Sequence, residues 1–262
     1  MKLLTHLLKK NLSNITFTIP VRIDSKDRYE NLICIINYLL SSGATNIIIY
    51  ENGPEINKFV YDHKYVKIIR EQNDGPFHRT KYLNKMAKLA TTDLIANYDC
   101  DVMFPYKQLH KAYDILINDE ADIVFPYDGL FVNIPRMLLK SGSVYDNANV
   151  EDLKPEDYPN FGKNSMGGAL FWKRKVFIEG GMENENFISW GAEDWERVRR
   201  FTKLGYRFGR VKGPLYHIDH SRTQDSNESN PYYQRNVTEF QKVDTMNKEQ
   251  LQAYIKTWPW LS

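Results

Sequence analysis

Short apolar runs alternate with amphipathic stretches through the first half of this chain. Residues 15–21 (ITFTIPV), 46–50 (NIIIY), 65–69, 93–98 (DLIANY) and 122–125 are short, apolar and rich in β-branched side chains, which predicts strands. Between them, residues 28–40 place Leu32, Ile35, Ile36 and Leu39 at helical spacing and stop at Ser41-Ser42-Gly43. Residues 79–90 repeat the pattern with Tyr82, Leu83, Met86 and Leu89, and a third helix is expected around 107–117. Asn52-Gly53-Pro54 breaks the second strand. Strands apolar along their whole length, separated by amphipathic helices, predict an α/β fold with a mostly parallel central sheet flanked by helices. Ligands of such sheets bind beyond the carboxyl ends of the strands. Arg22 and Asp24 follow the first strand, Glu51 the second, and Asp99-Cys100-Asp101 the fourth, so one rim collects polar groups.

The second half is less regular. Residues 128–164 hold several prolines, glycines and tyrosines with weak periodicity, and read as a long, partly irregular excursion beside the rim. Regular structure resumes over 167–177, turns at Gly180-Gly181, and continues as a helix over 193–204 that ends at Gly205. Residues 207–216 are strand-like, 223–230 are polar, and from Tyr232 onwards a helical appendage is expected, ending in Trp258 and Trp260. One domain over 1–222, with halves of about 14–127 and 128–222, and a tail over 223–262 account for the chain. Residues 1–10 carry Leu3, Leu4, Leu7 and Leu8 before Lys9 and Lys10. They are expected to form a terminal helix packed on the domain; the alternative is a short membrane-surface helix, which would give peripheral membrane association.

Composition narrows the function more than the fold. With 35 basic and 33 acidic residues the net charge is +2, so no strong field favours a nucleic-acid partner. Aromatic residues reach 13%, a mild pointer to ligands with sugar or base faces. Cys34 and Cys100 are the only cysteines, which argues against a disulfide framework and for a reducing, cytoplasmic compartment. No apolar run approaches the roughly 18 residues a membrane span needs.

Three clusters carry chemistry. Asp99 and Asp101 are two apart at a strand end, so in extended backbone both carboxylates point to one side, a donor pair suited to Mg²⁺ or Mn²⁺. A surface turn with solvated aspartates is the bland alternative. Glu193-Asp194 opens a helix, where acids ordinarily complement the helix dipole. Here the segment FISWGA precedes them: Trp190 offers an aromatic wall and Gly191 close backbone approach. A carboxylate so placed can take the proton of an attacking hydroxyl. His217 and His220 follow the last strand-like segment, and either can complete a metal site or contact phosphate.

The pattern GGALFWKRKVF, then GM, FISWGAEDWE, LGYRF and YHIDH, resembles the C-terminal region of galactosyltransferases and N-acetylgalactosaminyltransferases. These are GT-A (Rossmann-like) glycosyltransferases, a group that includes β-1,4-galactosyltransferases and bacterial chondroitin-type polymerases. With Asp99-Cys100-Asp101 standing as the DxD motif and TIPVRIDSKDR as a nucleotide-binding first strand, the resemblance covers about residues 16–222. It implies an inverting, metal-dependent transfer of a hexose or N-acetylhexosamine from a UDP-sugar to a hydroxyl. The acceptor would be a glycan or lipid-linked glycan in bacterial surface polysaccharide synthesis, made at the inner face of the cell membrane.

Carried over by position, the resemblance makes Asp101 a metal ligand and Asp99 a ribose or metal contact. Asp194 would be the general base and Glu193 an acceptor or donor-sugar contact. His217 is the better-placed metal ligand, with His220 as the alternative. Arg22, Asp24 and Glu51 would hold uridine, Arg79 and Asn84 the nucleotide or diphosphate, and Gly167 and Gly168 the donor sugar, with Trp190 beside them. Trp195 stands where the galactosyltransferases carry a further acid, so acceptor preference does not transfer. A sugar nucleotidyltransferase is the rival enzyme class, but TIPVRIDSKDR lacks the glycine-rich phosphate loop. A non-catalytic carbohydrate-binding module is the other rival.

Overall fold

A computed structural model describes residues 10–55, 61–136, 138, 150–221 and 228–261. The expected terminal helix of residues 1–10 therefore lies almost entirely outside the described residues, as does most of the polar stretch 223–230.

The elements run β1 (Ile15–Val21), α1 (Lys26–Ser42), β2 (Ile47–Gly53), β3 (Val66–Gln72), α2 (Arg79–Leu89), β4 (Leu94–Tyr98), β5 (Val102–Met103), α3 (Tyr106–Ile117) and β6 (Ile123–Phe125). They continue with β7 (Phe131–Ile134), β8 (Asn160–Gly162), β9 (Ala169–Lys173), α4 (Arg174–Glu179), α5 (Glu193–Leu204), β10 (Phe208–Arg210), β11 (Leu215–Ile218), α6 (Tyr233–Thr245) and α7 (Lys248–Ile255). The main sheet has seven strands in the order β10-β6-β9-β4-β1-β2-β3. β1 pairs in parallel with β2 and β4, β2 with β3, and β6 with β10; β9 alone runs antiparallel, against β4 and β6. The sheet is thus mostly parallel, as the apolar runs required. β1, β2 and β4 are buried at every residue, because helices cover both faces, while edge strand β3 mixes half-buried and exposed positions. Register sets Val21 beside Glu51 and Thr18 beside Asn97, which brings the carboxyl ends of β1, β2 and β4 to one rim.

A second sheet, order β5-β11-β7-β8, was not legible in the chain. Its strands are two to four residues long, too short for a period-2 pattern to show. Three of them make structure from the ends of segments read as loops, so the excursion 128–164 contributes strands at both of its described ends. β11 pairs antiparallel with β5, which directly follows Asp101, and parallel with β7. The second sheet therefore grows out of the rim itself.

The appendage α6–α7 closes a small core of Val243, Leu251, Ile255 and Trp258 against Leu204 of α5. Asn247 caps α7 by a reciprocal pair of bonds with Gln250, which satisfies two otherwise orphaned amides. Beneath α5 lies a buried ion pair: Arg200 donates to Glu196 at 2.7 Å and to the carbonyls of Gly180 and Met182, and both side chains are fully buried. Removing one partner strands a charge where water cannot reach. Arg200→Met is expected to cost about 3–5 kcal/mol of stability. The double variant Glu196→Met with Arg200→Met should recover most of that loss, both read from urea unfolding midpoints.

Candidate active site

The rim opens into a cavity of about 210 Å³. Arg22, Asp24 and Arg28 from the β1–α1 junction, Phe77 and Arg79, Asp99 to Asp101, Ser189 and Trp190, Glu193 and Asp194, and His217 and His220 all line it. Acids more than ninety residues apart along the chain thus share one pocket.

Asp101, His217 and His220 form the tightest cluster. One ligand atom from each lies within 4.8 Å of the others. Asp101 Oδ2 is 3.1 Å from His220 Nε2, and Oδ1 is 4.0 Å from His217 Nε2. Strand pairing builds this cluster: His217 lies opposite Val102 on β5 and opposite Asn133 on β7. Asn133 Oδ1 sits 2.9 Å from His217 Nδ1; an oxygen can only accept, so Nδ1 carries a proton and Nε2 is turned toward Asp101. Arg28 donates to Asp101 Oδ2 at 3.3 Å. Burial pushes the Asp101 carboxyl up, but the bond from His220 and the charges of His217 and Arg28 outweigh it and hold the acid well below its usual range. Burial drives the His220 imidazole down; Asp101 overcomes this and raises it. One carboxylate and two imidazoles, one of them oriented from behind by an amide, suit a borderline divalent ion such as Mn²⁺, and the residues present fit one.

Asp99 stands apart from that cluster. Its Oδ1 accepts two bonds from Arg79, from Nη2 at 2.7 Å and Nε at 3.2 Å. Arg79 reaches Asp194 with Nη1 at 3.9 Å, so one guanidinium spans the acids of the two motifs.

Glu193 and Asp194 open α5 behind a strained turn. Ser189 and Ala192 have φ of 59° and 64°, and Gly191, at 126°, admits the Tyr233 ring where a Cβ would lie 2.7 Å from it. Trp190 stacks on Tyr233 with ring centres 5.8 Å apart and planes at 14°. Burial and the Asp194 charge together push the Glu193 carboxyl up to about 7. Burial also pushes Asp194 up, but Arg197 and Arg79 more than compensate and keep it below its ordinary value. Adjacent acids are thereby split, one retaining a proton near neutrality and one ionised. A Cβ at Gly167 would fall 2.5 Å from Asp194 Oδ2, so only a glycine lets that oxygen sit there.

Several residues expected at the site lie elsewhere or act indirectly. Glu51 is buried under the rim in an ion pair with Arg70 at 3.0 Å and does not line the cavity. Asn84 is buried and holds residue 183, accepting from its amide at 2.8 Å and donating to its carbonyl at 2.9 Å. Gly168 packs against Leu215 and Val102, beneath the site. Arg28, Phe77, Asn133 and Arg197 were not foreseen. Arg22 lies over the Phe77 ring at 5.6 Å, making an aromatic and cationic corner. Arg28 and Arg197 sit four and three residues after Asp24 and Asp194, a spacing that could have flagged them as helical partners of those acids; nothing local marks Asn133.

Because the folded state holds the Glu193 proton to a higher pH than the unfolded chain does, it binds more protons between its ordinary value of 4.5 and about 7. Stability from this group is full below that window and falls as pH rises through it. Glu193→Gln should flatten the decline, seen by comparing urea midpoints of both proteins at the two ends of the window.

A model of the galactosyltransferase family, described as the N-terminal domain of galactosyltransferase, matches residues 151–222. No curated protein matches the chain. Among solved structures, one of GalNAc-T7 with UDP, GalNAc and Mn²⁺ aligns over 94% of this chain at 10% identity and a TM-score of 0.58. The chain spans 52% of that protein's length. A structure of the catalytic domain of Drosophila β1,4-galactosyltransferase 7 with xylobiose aligns over 76% of this chain and 65% of its own, at 17% identity and a TM-score of 0.43, too low to carry an argument. The chain has the GT-A glycosyltransferase fold, and its residues 151–222 match the galactosyltransferase model.

Proposed function

We propose that this protein is an inverting, metal-dependent glycosyltransferase that moves a hexose or N-acetylhexosamine from a UDP-sugar to a glycan hydroxyl. One observation carries the reading: Asp194 and the Asp101/His217/His220 cluster face a single cavity, with Asp194 ionised and its Oδ2 free of any donor among the described residues. The similar GalNAc-T7 structure holds UDP, GalNAc and Mn²⁺, which supports the same ligand classes here.

Asp101, His217 and His220 would hold Mn²⁺ or Mg²⁺. When bound, the ion supplies positive charge against the leaving diphosphate. The acceptor oxygen attacks the anomeric carbon of the donor sugar. The bond from that carbon to the diphosphate breaks, its electron pair leaving with the phosphate oxygen, and the acceptor's proton passes to Asp194 Oδ2. Attack and departure on opposite faces invert the anomeric centre. Arg28 and Arg79 add fixed cations to the same cavity, whose preorganisation costs no reorganisation during reaction. Trp190, half exposed at the cavity edge, offers the acceptor an aromatic face. The setting in bacterial surface polysaccharide synthesis, with a glycan or lipid-linked glycan as acceptor, rests on the sequence resemblance.

General-base catalysis contributes about 10²–10⁴-fold, so Asp194→Asn should lose at least that order of turnover while UDP affinity stays near normal. Retained turnover would refute the role. Asp101→Ala should abolish Mn²⁺-dependent UDP binding, measured by calorimetry with and without the metal. Release of pyrophosphate from a nucleoside triphosphate and sugar phosphate would favour a nucleotidyltransferase instead.

A further inference from the structure

Behind Asp194 runs a buried polar chain that touches no part of the cavity. Arg197, one turn further along α5, is 2% exposed. Its Nη1 donates to Asp194 Oδ1 at 2.7 Å and its Nε to the buried Glu183 carboxylate at 2.9 Å. Glu183 is itself pinned: Asn97, near the end of β4, donates to its carboxylate at 2.7 Å, and Asn84 of α2 brackets its backbone from both sides. We infer that Arg197 is a positioning residue for Asp194, fixing the carboxylate to the strand that leads into Asp99 and Asp101 so that Oδ2 alone faces the acceptor. This rests on the transferase reading above, and on geometry that holds without it.

The physical case has three parts. A carboxylate on a short side chain can swing about two torsions; a charged bond at 2.7 Å to an immobile guanidinium removes that freedom. With Oδ1 so held, Oδ2 rests in the space that Gly167 leaves open. Second, Arg197 is costly where it is. Its Nη2 is buried without a hydrogen-bond partner, a loss that an apolar side chain of similar volume would avoid. Stability alone does not account for it. Third, the chain joins the site's two halves: Asn97 lies on β4 two residues before Asp99, and Asp194 opens α5, so the base and the DxD acids take their relative placement from one hydrogen-bonded path. Errors of about 1 Å at such a group cost on the order of 10²-fold in rate.

The groups facing Asp194 are Arg197 and Glu193 on α5, Arg79 on α2, Asp99 beyond β4 and Tyr127 after β6. Removing the Arg197 charge leaves Arg79 as the remaining cation, so the carboxyl should titrate at higher pH.

The test uses the full chain as Arg197→Gln and, in case unpaired Glu183 prevents folding, as Glu183→Gln with Arg197→Gln. The Asp194 carboxyl is followed by ¹³C NMR and assigned with Asp194→Asn. Its midpoint should rise in whichever variant folds. Hydrolysis of UDP-galactose or UDP-N-acetylgalactosamine by water should lose on the order of tenfold to a hundredfold in kcat, with donor KM little changed. Adding Arg197→Gln to Asp194→Asn should lower kcat no further. An unmoved midpoint overturns the inference, as does a kcat loss that adds fully to that of Asp194→Asn. A wild-type protein without turnover whose Asp194 midpoint still responds to Arg197 would remove the transferase chemistry and leave the clamp standing.

Discussion

The site depends on opposite charges being withdrawn from water together. Asp99 and Asp194 come from remote parts of the chain, and the Arg79 guanidinium lies between them, bonded to the first and 3.9 Å from the second. Burial and the neighbouring acids still push the Asp99 carboxyl up, and the Arg79 cation opposes that rise. With it, burial is tolerated and the acids are held in a shape that a ligand can meet. Arg28 does the same for Asp101, and Arg197 for Asp194 and Glu183.

This arrangement separates the chemistry of neighbouring acids. Glu193 and Asp194 are adjacent, yet burial and the Asp194 charge drive Glu193 up, with its carboxylate bonded by the Gly191 amide, whereas Asp194 is bonded by Arg197 and lies near Arg79, and is driven down. Both are carboxylic acids at adjacent positions; surroundings decide which one can accept a proton. On the other wall, the second sheet does comparable work. Pairing β11 between β5 and β7 brings Asp101, His217 and Asn133 within reach of one another, though they are far apart along the chain.

The parallel sheet, its helices and the polar rim were legible because each leaves a local signature. Full-length apolar strands mean cover on both faces, and helical spacing of residues such as Leu32, Ile35 and Leu39 marks the covering layer. Asp99, Asp101, Asp194 and both histidines were legible as candidates because their residue types suit metal and proton chemistry. Glu51 and Asn84 were placed at the site by position alone, and folding turned them inward to Arg70 and to residue 183. Of the second sheet only the start of β11 fell in a stretch read as strand-like, 207–216, since strands of two to four residues have no period to read.

By itself, then, the amino-acid order determined the alternation of strands and helices, the apolar core and the supply of acids, imidazoles and aromatics near strand ends. Those follow from interactions within a few residues. Which of these groups share a pocket, which oxygen of Asp194 is left free, and which histidine is oriented by an amide were decided only in three dimensions. Each depends on a partner more than thirty residues away or on a turn of helix buried against it, and a charge's behaviour is set by what burial places beside it.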